Sequence, residues 1–269
     1  AHNVQRVEGR ACELTCSDEG AALRLEDGRR LECALLVGAD GRESWVRGQC
    51  DIGVDYRMYH QRAIVTNFAC DKPHHGVAYQ WFTCADGVIA LLPLPGNRVS
   101  LVWSAPETLA DTLMDESLGE LAIRLAEYAD DKLGTLRPLQ PEAVKAVPLA
   151  LVRPHSLVAP RVALVGDAAH AVHPLAGHGM NLGFGDIVDL LQVLREREDR
   201  RGIADERVLA RYACKRKEDV LLMQWATDGL ERLFGANLEP VRVVRNFGLN
   251  LLDKLPSVKR RLMAHAMGK

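Results

Sequence analysis

Residues 161–186 read RVALVGDAAHAVHPLAGHGMNLGFGD, and this stretch decides how the rest of the chain is read. Val162-Ala163-Leu164-Val165 is a short continuous apolar run, the pattern of a buried strand, and it ends abruptly in Gly166-Asp167. Small residues, Pro174 and Gly177-His178-Gly179 follow, and residues 180–194 then take helical periodicity. A carboxylate at a strand end and a glycine-rich helix start make a cradle. Asp167 is suited to accept hydrogen bonds from sugar-type hydroxyls. The free N–H groups of Gly179, Met180 and Asn181 offer partial positive charge to an anion or an electron-rich ring.

Upstream, Ala34-Leu35-Leu36-Val37 is continuously apolar, as a buried parallel strand is, and ends in Gly38-Ala39-Asp40-Gly41 followed by Ser44-x-x-Arg47. Read alone, that segment is equally a strand end and turn, with Ser44 capping a short helix and Arg47 solvated or paired. Before it, residues 12–16, 22–25 and 31–33 form a small β-meander, with Glu26-Asp27-Gly28 as a hairpin turn. From 51 to 148 the texture is β: residues 63–65, 88–92 and 98–103 predict strands, with Pro95-Gly96-Asn97 turning between the last two. One helix is predicted over 112–132, on the spacing of Leu113, Leu118, Leu121, Ile123 and Leu125. Two helical stretches, 206–234 and 240–266, close the chain, split by Asn237 and Pro240.

The 269 residues allow one large domain or two modest ones, and 48% apolar content supplies a core. A formal net charge of −2 gives no support to a nucleic-acid surface. No apolar run approaches a membrane span, and AHNVQRVEGR is not a signal-peptide pattern. The seven cysteines (12, 16, 33, 50, 70, 84 and 214) show no CxxC pair and read as reduced thiols of a cytosolic protein. His170-x-x-His173 with His178 invites a zinc reading, rejected because no acidic or cysteine ligand stands at a supporting spacing. Gln80-Trp81-Phe82 and Trp103 are expected in the sheet core rather than on a substrate.

The segments GADGRESWVR at 38–47 and VGDAAHAVHPLAGHGMNLGFGD at 165–186 resemble the two internal signatures of class A flavoprotein aromatic hydroxylases, the para-hydroxybenzoate hydroxylase fold family. Residues 90–95, 100–104 and RNFGLNLLDKLPSVKRRLMAHAMG at 245–268 resemble its ubiquinone-biosynthesis branch. The resemblance implies an α/β fold. Residues 1–50 and 156–200 would form a partial, Rossmann-like FAD/NAD(P)-binding domain, 51–155 an antiparallel β-sheet substrate domain, and 201–269 a C-terminal helical region. It implies FAD and NAD(P)H as cofactors and O2-dependent hydroxylation of the aromatic ring of a polyprenylphenol.

On the same resemblance Gly166 and Asp167 hold the ribityl or ribose part of FAD. Pro174, Gly177, Gly179, Met180 and Asn181 lie beside its ring, and Asp40, Gly41 and Arg47 lie near the pyrophosphate and the nicotinamide groove. The resemblance names no catalytic base. Two departures stand out: His178 replaces a common glutamine, and Phe184-Gly185 replaces a common Leu-Arg.

The family's opening strand and GxGxxG are not found, so roughly a hundred N-terminal residues, a first βαβ unit plus its extension, are expected to be missing. The polypeptide alone is then expected to be inactive. Other readings are a hydroxylase of a small phenol or secondary metabolite, and a non-catalytic binding or assembly element. Leu249, Leu251, Leu252, Leu255 and Val258 beside Lys254, Lys259, Arg260 and Arg261 suit either domain packing or peripheral contact with a membrane or quinone-pathway enzymes.

Overall fold

The computed structural model describes residues 3–83, 85–139, 144–174, 177 and 179–235. The predicted helix over 240–266, with its apolar and basic residues, lies outside them, as do Cys84 and His178. The chain divides into two compact units: residues 1–57, 151–172 and 177–225, and residues 58–150, 173–176 and 226–269.

The first unit opens with the expected meander of β1 (Ala11–Cys16), β2 (Ala21–Leu25) and β3 (Arg30–Cys33), paired antiparallel in that order. Gly28 turns β2 into β3 at φ 87°, a backbone state open to glycine at little cost. A second sheet sets β4 (Leu36–Gly38) parallel to β12 (Val162–Leu164), which pairs antiparallel with β11 (Val158–Ala159). Parallel pairing is as read from the sequence, but full burial of 34–37 is not. β4 is the last strand of its sheet among the described residues, and Val37 is 44% exposed. The helices are α1 (Trp45–Gln49), α4 (Gly179–Arg195) and most of α5 (Glu206–Gly235). Their apolar faces close two small cores, one around Val165, Leu190, Val208 and Tyr212, the other around Val46, Leu164 and Ala168.

The second unit is built on an antiparallel sheet, and its core is a single cluster. β5 (Val54–Cys70), β8 (Arg98–Pro106), β7 (Val88–Leu94) and β6 (Tyr79–Phe82) lie side by side, β9 (Leu136–Pro138) pairs with β5, and β10 (Lys145–Pro154) flanks β5. Alternation puts Ile64, Phe68, Ile89, Leu91, Leu101 and Trp103 on the inner side, each wholly buried. Each large apolar side chain so removed from water contributes about 1.5–3 kcal/mol. Gly87, at φ 80°, is required by space as well, since a Cβ there would stand 2.0 Å from Ser104 O.

Two expectations are corrected here. The helix predicted over 112–132 is two: α2 (Glu107–Asp115) and α3 (Leu118–Ala129). Ser117 and Glu120 form a reciprocal capping box that starts α3 afresh. Leu113, Leu121 and Leu125 are buried as read, whereas Ile123 is 69% exposed, because it lies two residues from both Leu121 and Leu125 and so on the opposite face of α3. Trp103 is core, with Nε1 donating to Asp86 O at 2.7 Å, and Trp81 packs against the core, but their neighbours Gln80 and Phe82 are exposed. In strand β6 alternate residues must face out.

The six described cysteines are all free thiols. No helix among the described residues is long and apolar enough to cross a membrane.

Candidate functional site

The two glycine-bearing segments leave the carboxyl ends of adjacent parallel strands. Leu164 of β12 pairs with Gly38 of β4, and Val165 N donates to Gly38 O at 2.9 Å. Gly38 permits this approach, since a Cβ there would meet Leu164 Cδ2 at 2.9 Å and Val46 Cγ1 at 3.0 Å. In parallel sheets ligands bind at that end of the strands.

From β4 the chain turns at Gly41, φ 86°, into α1. Ser44 caps α1, accepting from Arg47 N at 3.0 Å. The Asp40 carboxylate fastens the cap, accepting from Ser44 Oγ at 2.5 Å and from Val46 N at 3.0 Å. Arg47 is buried and donates to Ala168 O at 3.1 Å and to Arg42 O at 2.9 Å. Its guanidinium therefore binds one glycine-bearing segment to the other. Asp40 and Arg47, both read as cofactor contacts, are here engaged in holding the loops.

From β12 the chain enters a single 3-10 turn, Gly166–Ala168, with Gly166 at φ 62°. The Asp167 carboxylate is exposed, and no described residue bonds to it. Gly177, at φ 63°, is exposed, and α4 begins at Gly179 with Met180 and Asn181 exposed in its first turn and no acidic residue there. Ideal Cβ atoms at Gly166 and Gly177 would meet nothing within 4 Å, so both glycines border open space. Gly183 of α4 comes so close to the turn that its Cβ would stand 3.3 Å from Gly166 Cα.

Beneath the turn lies a buried charge network that the sequence reading missed. Asp186, fully buried on α4, accepts at Oδ2 from Gly166 N at 2.7 Å and from His170 Nε2 at 2.8 Å. Its Oδ1 accepts from Arg216 Nε of α5 at 2.7 Å. Arg216 also donates to Asp189 Oδ2 at 3.0 Å and Leu182 O at 3.2 Å. Burial opposes its charge, but the Asp186 and Asp189 carboxylates outweigh burial and hold the guanidinium above its ordinary pKa. Tyr212 completes the floor, donating to Leu164 O at 2.7 Å, and burial pushes its phenol well up. The readable signal was an acid in the middle of the apolar stripe Leu182, Asp186, Leu190 and Val193.

His173 and Pro174 belong to the second unit. His173 is buried, its Nε2 faces Gln61 Oε1 at 3.0 Å, and its ring meets Tyr59 edge-on at 4.8 Å between centroids. Burial lowers its pKa to about 4, so it is neutral near pH 7. Pro174 is half-buried. Among the described residues no group of three or more His, Cys, Asp or Glu side chains is arranged to hold a metal.

The exposed carboxylate and the acid-free helix start, bordered by glycines, fit the hydroxyls and the electron-rich ring edge of a flavin nucleotide. The family described as FAD binding domain matches residues 8–223. The ubiquinone hydroxylase UbiL of Rhodospirillum rubrum is 38% identical over 252 residues, covering 93% of this chain and 58% of its own. The 3-demethoxyubiquinol 3-hydroxylase of Escherichia coli is 36% identical over 98% of this chain and 66% of its own. This chain thus spans about 58–66% of the length of these relatives. Among solved structures, PqsL, a probable FAD-dependent monooxygenase of Pseudomonas aeruginosa, superposes with TM-score 0.70 at 27% identity, covering 84% of this chain and 64% of that one. The chain belongs to the FAD-binding-domain family.

Proposed function

We propose that this chain carries the ring-side half of the flavin site of an FAD-dependent monooxygenase that hydroxylates the aromatic ring of a ubiquinone precursor with NAD(P)H and O2. The observation that supports it most is the exposed Asp167 carboxylate at the carboxyl end of β12, in a turn that packs closely against α4, whose first turn carries no acid. Bound FAD supplies the electron transfer from NAD(P)H and the activation of dioxygen.

The residues do the rest. Asp167 accepts from ribityl or ribose hydroxyls. The N–H groups of Gly179, Met180 and Asn181 stabilise negative charge at the ring edge, and Gly166 and Gly177 leave room for close approach. Asp40 and Gly41 shape the loop beside the pyrophosphate, and Arg47 holds it to the 166–168 turn. No side chain is assigned as a base, since an electron-rich phenol needs none.

A polyprenyl substrate lives in the bilayer, which supports peripheral contact of a cytoplasmic protein with the inner face of the membrane or with quinone-pathway enzymes. Residues 249–261 are the segment for it on sequence grounds. The names of the two curated relatives support the quinone reading. A second reading, hydroxylation of a small aromatic compound, is favoured by the likeness to PqsL, solved with 2-aminobenzoylacetate at 28% identity.

The test is NAD(P)H oxidation by the FAD-loaded protein. A polyprenylphenol that stimulates it where simple phenols do not supports the quinone reading. Stimulation by simple phenols alone supports the second, and stimulation by neither fits the expectation that this polypeptide alone is inactive.

A further inference from the structure

The first unit holds a cavity of about 490 Å³ between the 153–157 segment and one face of α5, a size within the roughly 300–1,000 Å³ of small-molecule sites. Ala213, Lys217, Val220, Leu221 and Gln224 recur at helical spacing along that face, and Leu157 and Ala169 line the opposite side. The lining is mainly apolar, and it carries two cations, Arg153 and Lys217, with no Asp or Glu among the lining residues.

The Arg153 guanidinium is held in place from behind. Its Nε donates at 2.7 Å to Oε1 of Gln224, which is fully buried and itself anchored by donating to Val152 O at 3.1 Å. No described residue pairs with the terminal nitrogens of Arg153 or with Lys217. The third basic side chain of the lining, His155, already pairs with Asp55 at 3.0 Å.

We propose that this cavity binds a long-chain carboxylate: a single hydrocarbon tail along the α5 face, with its head bridging Arg153 and Lys217. The apolar lining selects the tail by removing it from water. A preset guanidinium fork beside an uncompensated ammonium selects a planar anion. The inference rests on the cavity and not on the flavin reading.

The experiment is calorimetric titration of the 269-residue chain with laurate below its micelle concentration. Dodecanol and dodecyltrimethylammonium share the tail without the negative head. One laurate per chain is expected, with both analogues about tenfold weaker or more. Lys217→Glu, at an exposed position, should cost a similar factor for laurate and leave FAD binding unchanged. Ala213→Trp fills the cavity and should abolish binding. Laurate should also slow alkylation of Cys214, which lines the cavity, without slowing that of Cys12 or Cys16. Absence of laurate binding, equal affinity for dodecanol, an unchanged affinity in Lys217→Glu, or unprotected Cys214 would each overturn the proposal.

Discussion

The sheet of the second unit and the signature turn of the first are held together by opposite means. The sheet is an apolar core in which Ile64, Phe68, Ile89, Leu91, Leu101 and Trp103 are sealed from water. The turn rests on buried charge: Asp186 and Arg216 at 2.7 Å, with His170 and Gly166 N sharing the second carboxylate oxygen. An apolar core loses stability in proportion to the volume removed. A buried charge network fails when one partner goes, because the other remains desolvated and unpaired. On the proposed function, a loop that presents Asp167 in one orientation gains more from the second kind of support, which fixes direction as well as position.

The largest effect is therefore expected at Asp186. Asp186→Ala should destabilise the chain by about 3–5 kcal/mol, read from urea unfolding. Replacing Asp186 and Arg216 together by Leu and Met should recover only part of that loss, because Gly166 N and His170 stay without an acceptor. Full recovery would show that the network serves charge balance alone. Leu101→Ala in the sheet should cost about 2–5 kcal/mol without altering ligand binding. A loss of FAD affinity from that substitution would break the contrast between the regions.

His173 sharpens the contrast through pH. It takes a proton near pH 6.5 in an unfolded chain and only at about 4 when folded. As pH falls the unfolded state is protonated first. Stability is thus whole above about pH 6.5 and is lost, by roughly 3 kcal/mol, on the way down to about pH 4. His173→Phe should flatten the urea midpoint across that window. The smallest effect belongs to Ser117→Ala, which removes the α3 cap at about 1 kcal/mol, measured as a shift in thermal midpoint.

The same contrast explains what could be read from the chain alone. Alternation exposed the sheet strands, and the strand-to-glycine transitions at Val37-Gly38 and Val165-Gly166 exposed the parallel pair, because period and turn chemistry are local properties. The break between α2 and α3 was also local, written in Ser117-x-x-Glu120, and helical spacing on either side obscured it. Asp186 and Arg216 were different. Asp186 left a local trace, an acid within the apolar stripe of α4, but its partner, inside the run Lys215-Arg216-Lys217-Glu218-Asp219, looks like solvated charge until α4 and α5 bring the two together. Arg47 shows the same limit, since its partner Ala168 O lies 121 residues away.

The most direct measurement is a titration of the intact chain with FAD, followed by quenching of flavin fluorescence, in parallel with Asp167→Ala. Asp167 is exposed and bonds to no described residue, so the substitution should leave the thermal midpoint in place. The account predicts saturable binding that Asp167→Ala weakens about 10- to 150-fold, the loss of a charge-assisted hydrogen bond. Saturable binding of equal strength in both proteins would contradict it.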